Sequence, residues 1–214
     1  MIPILVAGGM RVIAPDLVGF GKSDKPAAQS DYTYAKHIKW MQEVVDHLEL
    51  KNINMFIQDW GGLIGLRLLT ANPDNFATVV AANTMLPTGS VTPPQAFLDW
   101  QNFAATSPKF DVATVLQMAT TTTLSEDIIT AYNAPFPKEK HKAGARVFPA
   151  LVPTTEKDPE SENKHYLNCN AAFWNDQDWH GGESSTEVEY GLRIDCKFSS
   201  SFRKQLGIDH LESY

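Results

Sequence analysis

Two cysteines in 214 residues, Cys169 and Cys196, are too few for a disulfide scaffold, and their spacing fits no metal-binding pattern. The six histidines are scattered, and none stands in a His-Glu-x-x-His pair, so no metal site is expected. Basic residues are outnumbered, with a formal charge of -7, which argues against a nucleic-acid partner. No apolar run is long enough to span a bilayer. The first nine residues are apolar but lack the basic lead and cleavage region of a secretory leader. No Gly-x-Gly-x-x-Gly follows a strand-like run, which weighs against a dinucleotide-binding module and its cofactor. The expectation is a cytoplasmic globular protein with no cofactor, no nucleic acid and no membrane partner. Composition agrees: 43% hydrophobic and 20% charged, enough for one core or a core with a small appendage.

The chain is organised around Ile53-Asn54-Met55-Phe56-Ile57-Gln58-Asp59-Trp60-Gly61-Gly62-Leu63-Ile64-Gly65. Apolar residues run from Ile53 to Ile57 with one break, as in a short buried strand. Helix-period apolar positions resume at Leu63, Ile64, Leu66 and Leu69. One carboxylate, Asp59, sits at the corner, and Gly61 and Gly62 allow backbone to pass close to it. A side chain on such a turn is pushed out beside the free N–H groups of a helix N-terminus, the layout of a nucleophile elbow. Asp59 as a plain helix cap is the competing reading.

Around this centre the chain reads as alternating strands and helices. Residues 1–7 form an apolar segment stopped by Gly8-Gly9, and residues 11–14 read as a brief buried strand. Residues 15–26 are a turn-rich loop. Residues 34–48 form an amphipathic helix with Thr33 as cap. His37 and His47 fall off its apolar stripe and read as surface histidines. Residues 78–83 are the next strand, and the β–α–β order implies a parallel sheet. After a Pro/Gly/Thr loop come only helical segments, at about 95–104, 112–119, 125–132 and 138–150. Trp100 alone, in Phe97-Leu98-Asp99-Trp100, reads as helix core.

Gln58-Asp59-Trp60-Gly61-Gly62 resembles the nucleophile elbow of the haloalkane dehalogenases, within the α/β-hydrolase superfamily. The run from Arg11 to Pro26 and the later Ala134-Pro135-Phe136-Pro137 resemble the same family. The resemblance covers about residues 1–160. It implies an α/β fold: a truncated α/β-hydrolase core over 1–88, its parallel sheet lacking the first and the C-terminal strands, and a helical cap over 89–160. It implies that Asp59 is the catalytic nucleophile, attacking a small apolar haloalkane to give an alkyl ester on its own side chain. It implies that Trp60 and Trp100 bind the departing halide ion through their indole N–H groups, which donate and never accept.

The second half-reaction needs a histidine base, which the family carries in a Gly-His-Phe-like setting after its last strand. Neither His180 nor His210 matches it. Asn83 occupies one of the two places where the family puts the partner acid, and the family's second oxyanion donor lies in an upstream turn that this sequence lacks. Residues 161–214 read as a divergent tail, in which residues 188–198 alternate as a half-buried strand does. A read-through intron, a shifted frame or a recombined end would each produce such a junction. The expected outcome is alkylation without full turnover. The alternatives are a non-catalytic fragment, and an epoxide hydrolase, which wants two cap tyrosines where only Tyr132 is present up to residue 160.

Overall fold

A computed structural model of the chain describes residues 1–90 and 92–162. The tail strand expected at 188–198, both cysteines, His180 and His210 lie outside the described residues.

The apolar opening forms helix α1 (Ile2–Ala7), with Gly8 as its cap residue and Gly9 at φ 83° closing the turn. The loop over residues 15–26 contains no helix or strand and is held from within. Asp16 accepts from the Lys22 N–H at 2.8 Å, and the Lys25 ammonium donates to the carbonyls of Gly21 (2.7 Å) and Ser23 (2.8 Å). Helix α2 (Tyr34–His47) starts at Thr33, whose hydroxyl accepts from the Lys36 N–H at 3.1 Å. Strand β1 (Ile53–Gln58), helix α3 (Trp60–Ala71) and strand β2 (Phe76–Ala82) follow, and β1 pairs with β2 in parallel, Gln58 opposite Ala82. Among the described residues the sheet has these two strands.

Helix α3 organises the core. Its residues are buried without a break from Gly62 to Leu69. One side packs Leu66 and Leu69 against Ile57 of β1, Ala81 of β2 and Leu86. The other packs Leu63, Ile64 and Leu68 against Tyr34 of α2 and Val152. Apart from Arg67 this buried stretch is apolar on both sides, as a central, twice-covered helix requires.

Residues 11–14, expected as a buried strand, are not one. They carry no strand pairing, and Arg11, Ile13 and Ala14 are exposed. Four residues without a bonded neighbour strand have no ladder to hold them as a strand. The second correction concerns His37, expected at the surface and found 1% exposed. It stands three residues after Tyr34 and four before Met41, so the buried face of α2 is wide enough to include it. His47 is exposed.

The later chain is helical: α4 (Gln95–Thr106), α5 (Val112–Met118), α6 (Glu126–Asn133) and α7 (Ala143–Val147). The single helix expected over 138–150 is broken into a 3-10 turn (Glu139–Lys142), α7 and a second 3-10 turn (Phe148–Leu151). Gly144 and Pro149 explain this. A Cβ on Gly144 would meet the Tyr32 ring at 2.9 Å, so this position is kept small by packing, and proline lacks the N–H that a helix interior needs. Arg146 ties the segment together, donating to the carbonyls of Ala104 (3.1 Å) and Ser107 (2.9 Å) and to the Glu139 carboxylate. No helix among the described residues is long and apolar enough to cross a membrane.

Candidate active site

The elbow is built by β1 ending at Gln58 and α3 beginning at Trp60. Asp59 between them takes φ 48°, ψ -124°, a backbone conformation that few non-glycine residues adopt and that costs on the order of 1–3 kcal/mol. Three backbone contacts hold it there. Its N–H donates to the Asn83 carbonyl at 3.2 Å, and its carbonyl accepts from the Gly62 N–H at 2.9 Å and from the Thr84 hydroxyl at 2.6 Å. The carboxylate accepts from the Trp60 N–H at 2.6 Å. Asp59 therefore is the cap of α3, as the simpler reading had it. Its side chain is also exposed at the corner and borders a cavity.

The glycines divide their work differently from the sequence expectation. A Cβ on Gly61 would make an ordinary 3.7 Å contact with Ile57. Space is tight at Gly62, where a Cβ would land on the Thr84 hydroxyl, and at Gly65, where it would come within 2.8 Å of Ile57. These two positions bring α3 close against the strand ends.

The cavity measures about 620 Å³ and lies between the elbow and the later helices. Asp59, Trp60 and Trp100 all line it, together with Phe20, Phe110 and Phe148. Its wall is predominantly apolar, so water inside has few partners and a carboxylate at its edge meets little competition for an apolar ligand. Trp60 is wedged between Phe148 (ring centroids 4.1 Å apart, planes 23° apart) and Tyr34, edge-on at 5.4 Å. The Tyr34 hydroxyl donates to the Leu63 carbonyl at 2.6 Å, which fixes that ring in turn. Trp100 sits among Phe103 and Phe110, with centroids 6.0 and 6.2 Å away. Its helix-core surroundings and its place on the cavity wall thus coexist.

Asn83 does not reach the cavity wall; its carbonyl serves the Asp59 backbone. Among the described residues no histidine lines the cavity, and no group of His, Cys, Asp and Glu is arranged to hold a metal. Three contributors escaped sequence reasoning. Phe148 carried no signal beyond being apolar. Thr84 follows the second strand as one polar residue among several. His37 falls off the apolar stripe of the 34–48 helix and reads from the sequence as a surface histidine, although it stands three residues after Tyr34 and four before Met41.

The alpha/beta hydrolase fold model matches residues 1–180. A haloalkane dehalogenase from Psychrobacter cryohalolentis is 58% identical over 174 residues, 81% of this chain and 57% of that protein. One from Mycolicibacterium paratuberculosis is 44% identical over 74% of this chain and 53% of its own length. Among solved structures, a tetrameric haloalkane dehalogenase from Paraglaciecola agarilytica NO2 is 35% identical with a TM-score of 0.73, over 85% of this chain and 59% of that one. The chain thus spans somewhat more than half the length of the relatives it matches.

Proposed function

The chain belongs to the α/β-hydrolase fold family, and on that premise we propose that it acts as a haloalkane-dehalogenase-like hydrolase whose nucleophile is Asp59. One observation carries this reading: a carboxylate at a strained strand-to-helix turn borders an apolar cavity that two tryptophans also line. The relatives are named for the same activity.

In the proposed reaction an oxygen of the Asp59 carboxylate attacks the halogen-bearing carbon of a small haloalkane. A C–O bond forms, the carbon–halogen bond breaks, and the halide leaves with the bonding electrons. The carboxylate needs no base for this step. Trp60 and Trp100 are the donors for the departing anion, and an N–H that cannot accept suits that task. The helices after residue 94 act as a cap that keeps water from the reacting atoms.

Hydrolysis of the ester needs a base, and none of the histidines among the described residues lines the cavity. Neither His180 nor His210 stands in the dehalogenase family's Gly-His-Phe-like setting, so the alkyl ester on Asp59 is the species expected to accumulate. Tyr132 on the cavity wall lends some support to an epoxide substrate. One tyrosine supplies half of what that chemistry asks, whereas two indoles suit a halide.

The test is intact mass spectrometry after exposure to a small bromoalkane, beside the Asp59→Asn variant. The expected result is a gain of one alkyl group in the parent chain alone, with one bromide released per adduct. A folded parent chain that gains nothing removes the nucleophile assignment. An adduct with an epoxide and none with the bromoalkane moves the substrate class.

A further inference from the structure

The end of β2 grips the elbow at both backbone atoms of Asp59. The Asn83 carbonyl accepts from the Asp59 N–H at 3.2 Å, and the Thr84 hydroxyl donates a hydrogen bond to the Asp59 carbonyl at 2.6 Å. Thr84 is buried, 8% exposed, so water does not readily replace that bond. The carbonyl it holds is the one that the Gly62 N–H also meets, in the first turn of α3. Space for the hydroxyl exists only because residue 62 has no Cβ. Asp59 itself sits at φ 48°, ψ -124°, from which an unrestrained aspartate would relax.

We propose that Thr84 is a positioning residue for the reaction, its hydroxyl locking the Asp59 backbone in the conformation that directs the carboxylate at the cavity. This rests on the reading of Asp59 as nucleophile. Rotation about the Asp59 backbone would swing the carboxylate along the cavity edge, and in-line displacement at carbon tolerates little such error. A misplacement of about 1 Å at a reacting group can cost on the order of a hundredfold in rate. Packing alone does not require a hydroxyl at this place. The valine isostere fills the same volume and leaves the Asp59 carbonyl with the Gly62 N–H only.

The experiment compares Thr84→Val and Thr84→Ser with the parent, all as the full chain. Single-turnover alkylation by a bromoalkane is followed by mass, and amide hydrogen exchange is measured at residues 59–62. For Thr84→Val the limiting alkylation rate should fall about tenfold or more while the half-saturating bromoalkane concentration stays within about twofold. Exchange at residues 59–62 should quicken about fivefold or more, with residues 34–47 unchanged. Thr84→Ser should restore both. A valine variant that melts lower yet alkylates at the parent rate overturns the inference, as does unchanged exchange at residues 59–62. If the parent takes no alkyl group while exchange responds as stated, the backbone clamp stands and the nucleophile reading falls. If the valine variant does not fold, the serine variant decides: a rate still depressed tenfold with the hydroxyl present refutes the assignment, and parent-like rate and exchange uphold it.

Discussion

Phe148 lies against the indole of Trp60, with ring centroids 4.1 Å apart and planes 23° apart. The same phenyl ring meets Phe20 of the turn-rich loop at 4.8 Å and His37 of α2 edge-on at 5.1 Å. One side chain near the end of the helical segment therefore touches the loop, α2 and the elbow together. Replacing Phe148 by Leu keeps most of the volume and removes the stacking. The expected loss is about 1 kcal/mol in stability, read from the urea midpoint, since such ring pairs are worth roughly that beyond their area. Alkylation should also slow, because Trp60 loses the ring stacked on its indole. A stability loss with an unaltered rate would show that Tyr34 and His37 suffice to orient the indole.

His37 gives the fold a built-in acid sensitivity. It is 1% exposed among the rings of Tyr32, Trp40, Trp60 and Phe148, and its Nε2 has no hydrogen-bond partner. Burial pushes its pKa down to about 4. In the unfolded chain a histidine titrates near ~6.5. Between these values the unfolded chain takes a proton that the folded chain refuses. Stability therefore falls as pH drops from about 6.5 toward about 4, by up to roughly 3 kcal/mol. His37→Phe removes the titrating group and retains an aromatic ring. Its stability should change less than the parent's between about pH 7.5 and about pH 5. Urea unfolding at the two values measures this, and equal slopes in the two proteins would sink the idea.

How legible this was in the sequence varied with the kind of signal. The elbow was readable because three local cues coincide at residues 53–65: a short apolar run, a corner carboxylate with small residues after it, and renewed helical period. Helices α2 and α3 were readable for similar reasons, with Thr33 capping one and helical period running through Leu63, Ile64, Leu66 and Leu69 in the other. Residues 11–14 misled because an apolar run states an appetite for burial and says nothing about whether a neighbour bonds to it. The break at 138–150 goes with Pro149 and with the packing of Gly144 against Gly19 and Tyr32, both more than a hundred positions earlier in the chain. That Trp60 and Trp100 share a cavity wall also needed the fold. Only their types, and the resemblance, pointed there beforehand.

Arg67 supplies a prediction away from the chemistry. Arg67 is 6% exposed, and its guanidinium lies 4.1 Å over the Tyr34 ring and donates to Glu160 at both the carboxylate (2.8 Å) and the backbone carbonyl (2.6 Å). It fastens the last described turn to α3 across 93 residues of sequence. Glu160→Gln replaces one charged acceptor of the Arg67 guanidinium by a neutral amide, and the expected cost is about 1–3 kcal/mol in urea unfolding. Changing both partners, as Arg67→Met with Glu160→Gln, should cost less than the sum of the single changes, because both changes remove the same contact. Strict additivity would mean that the Tyr34 ring and the Glu160 carbonyl carry the interaction without the carboxylate.

Trp100 separates the two roles that its position permits. Its ring packs with Phe103 and Phe110 in a cluster that the helical segment needs, and it borders the cavity that Asp59 borders. Trp100→Phe preserves an aromatic ring in the cluster and deletes the indole N–H. If the residue serves packing alone, the variant should lose a little stability and alkylate at the parent rate. If the N–H donates to the departing halide, the limiting rate should fall about 10- to 100-fold, the scale of one charge-assisted hydrogen bond made in the transition state. The fall should be steeper for a chloroalkane than for the matching bromoalkane. Chloride is the poorer leaving group and carries its charge on a smaller ion, so it depends more on a donor. The same substitution should leave binding of the uncharged haloalkane nearly unchanged, because an N–H has little to offer a neutral alkyl chain. A rate that drops equally for both halides, together with weaker binding, would place Trp100 in the shape of the cavity and leave Trp60 as the one indole for the anion.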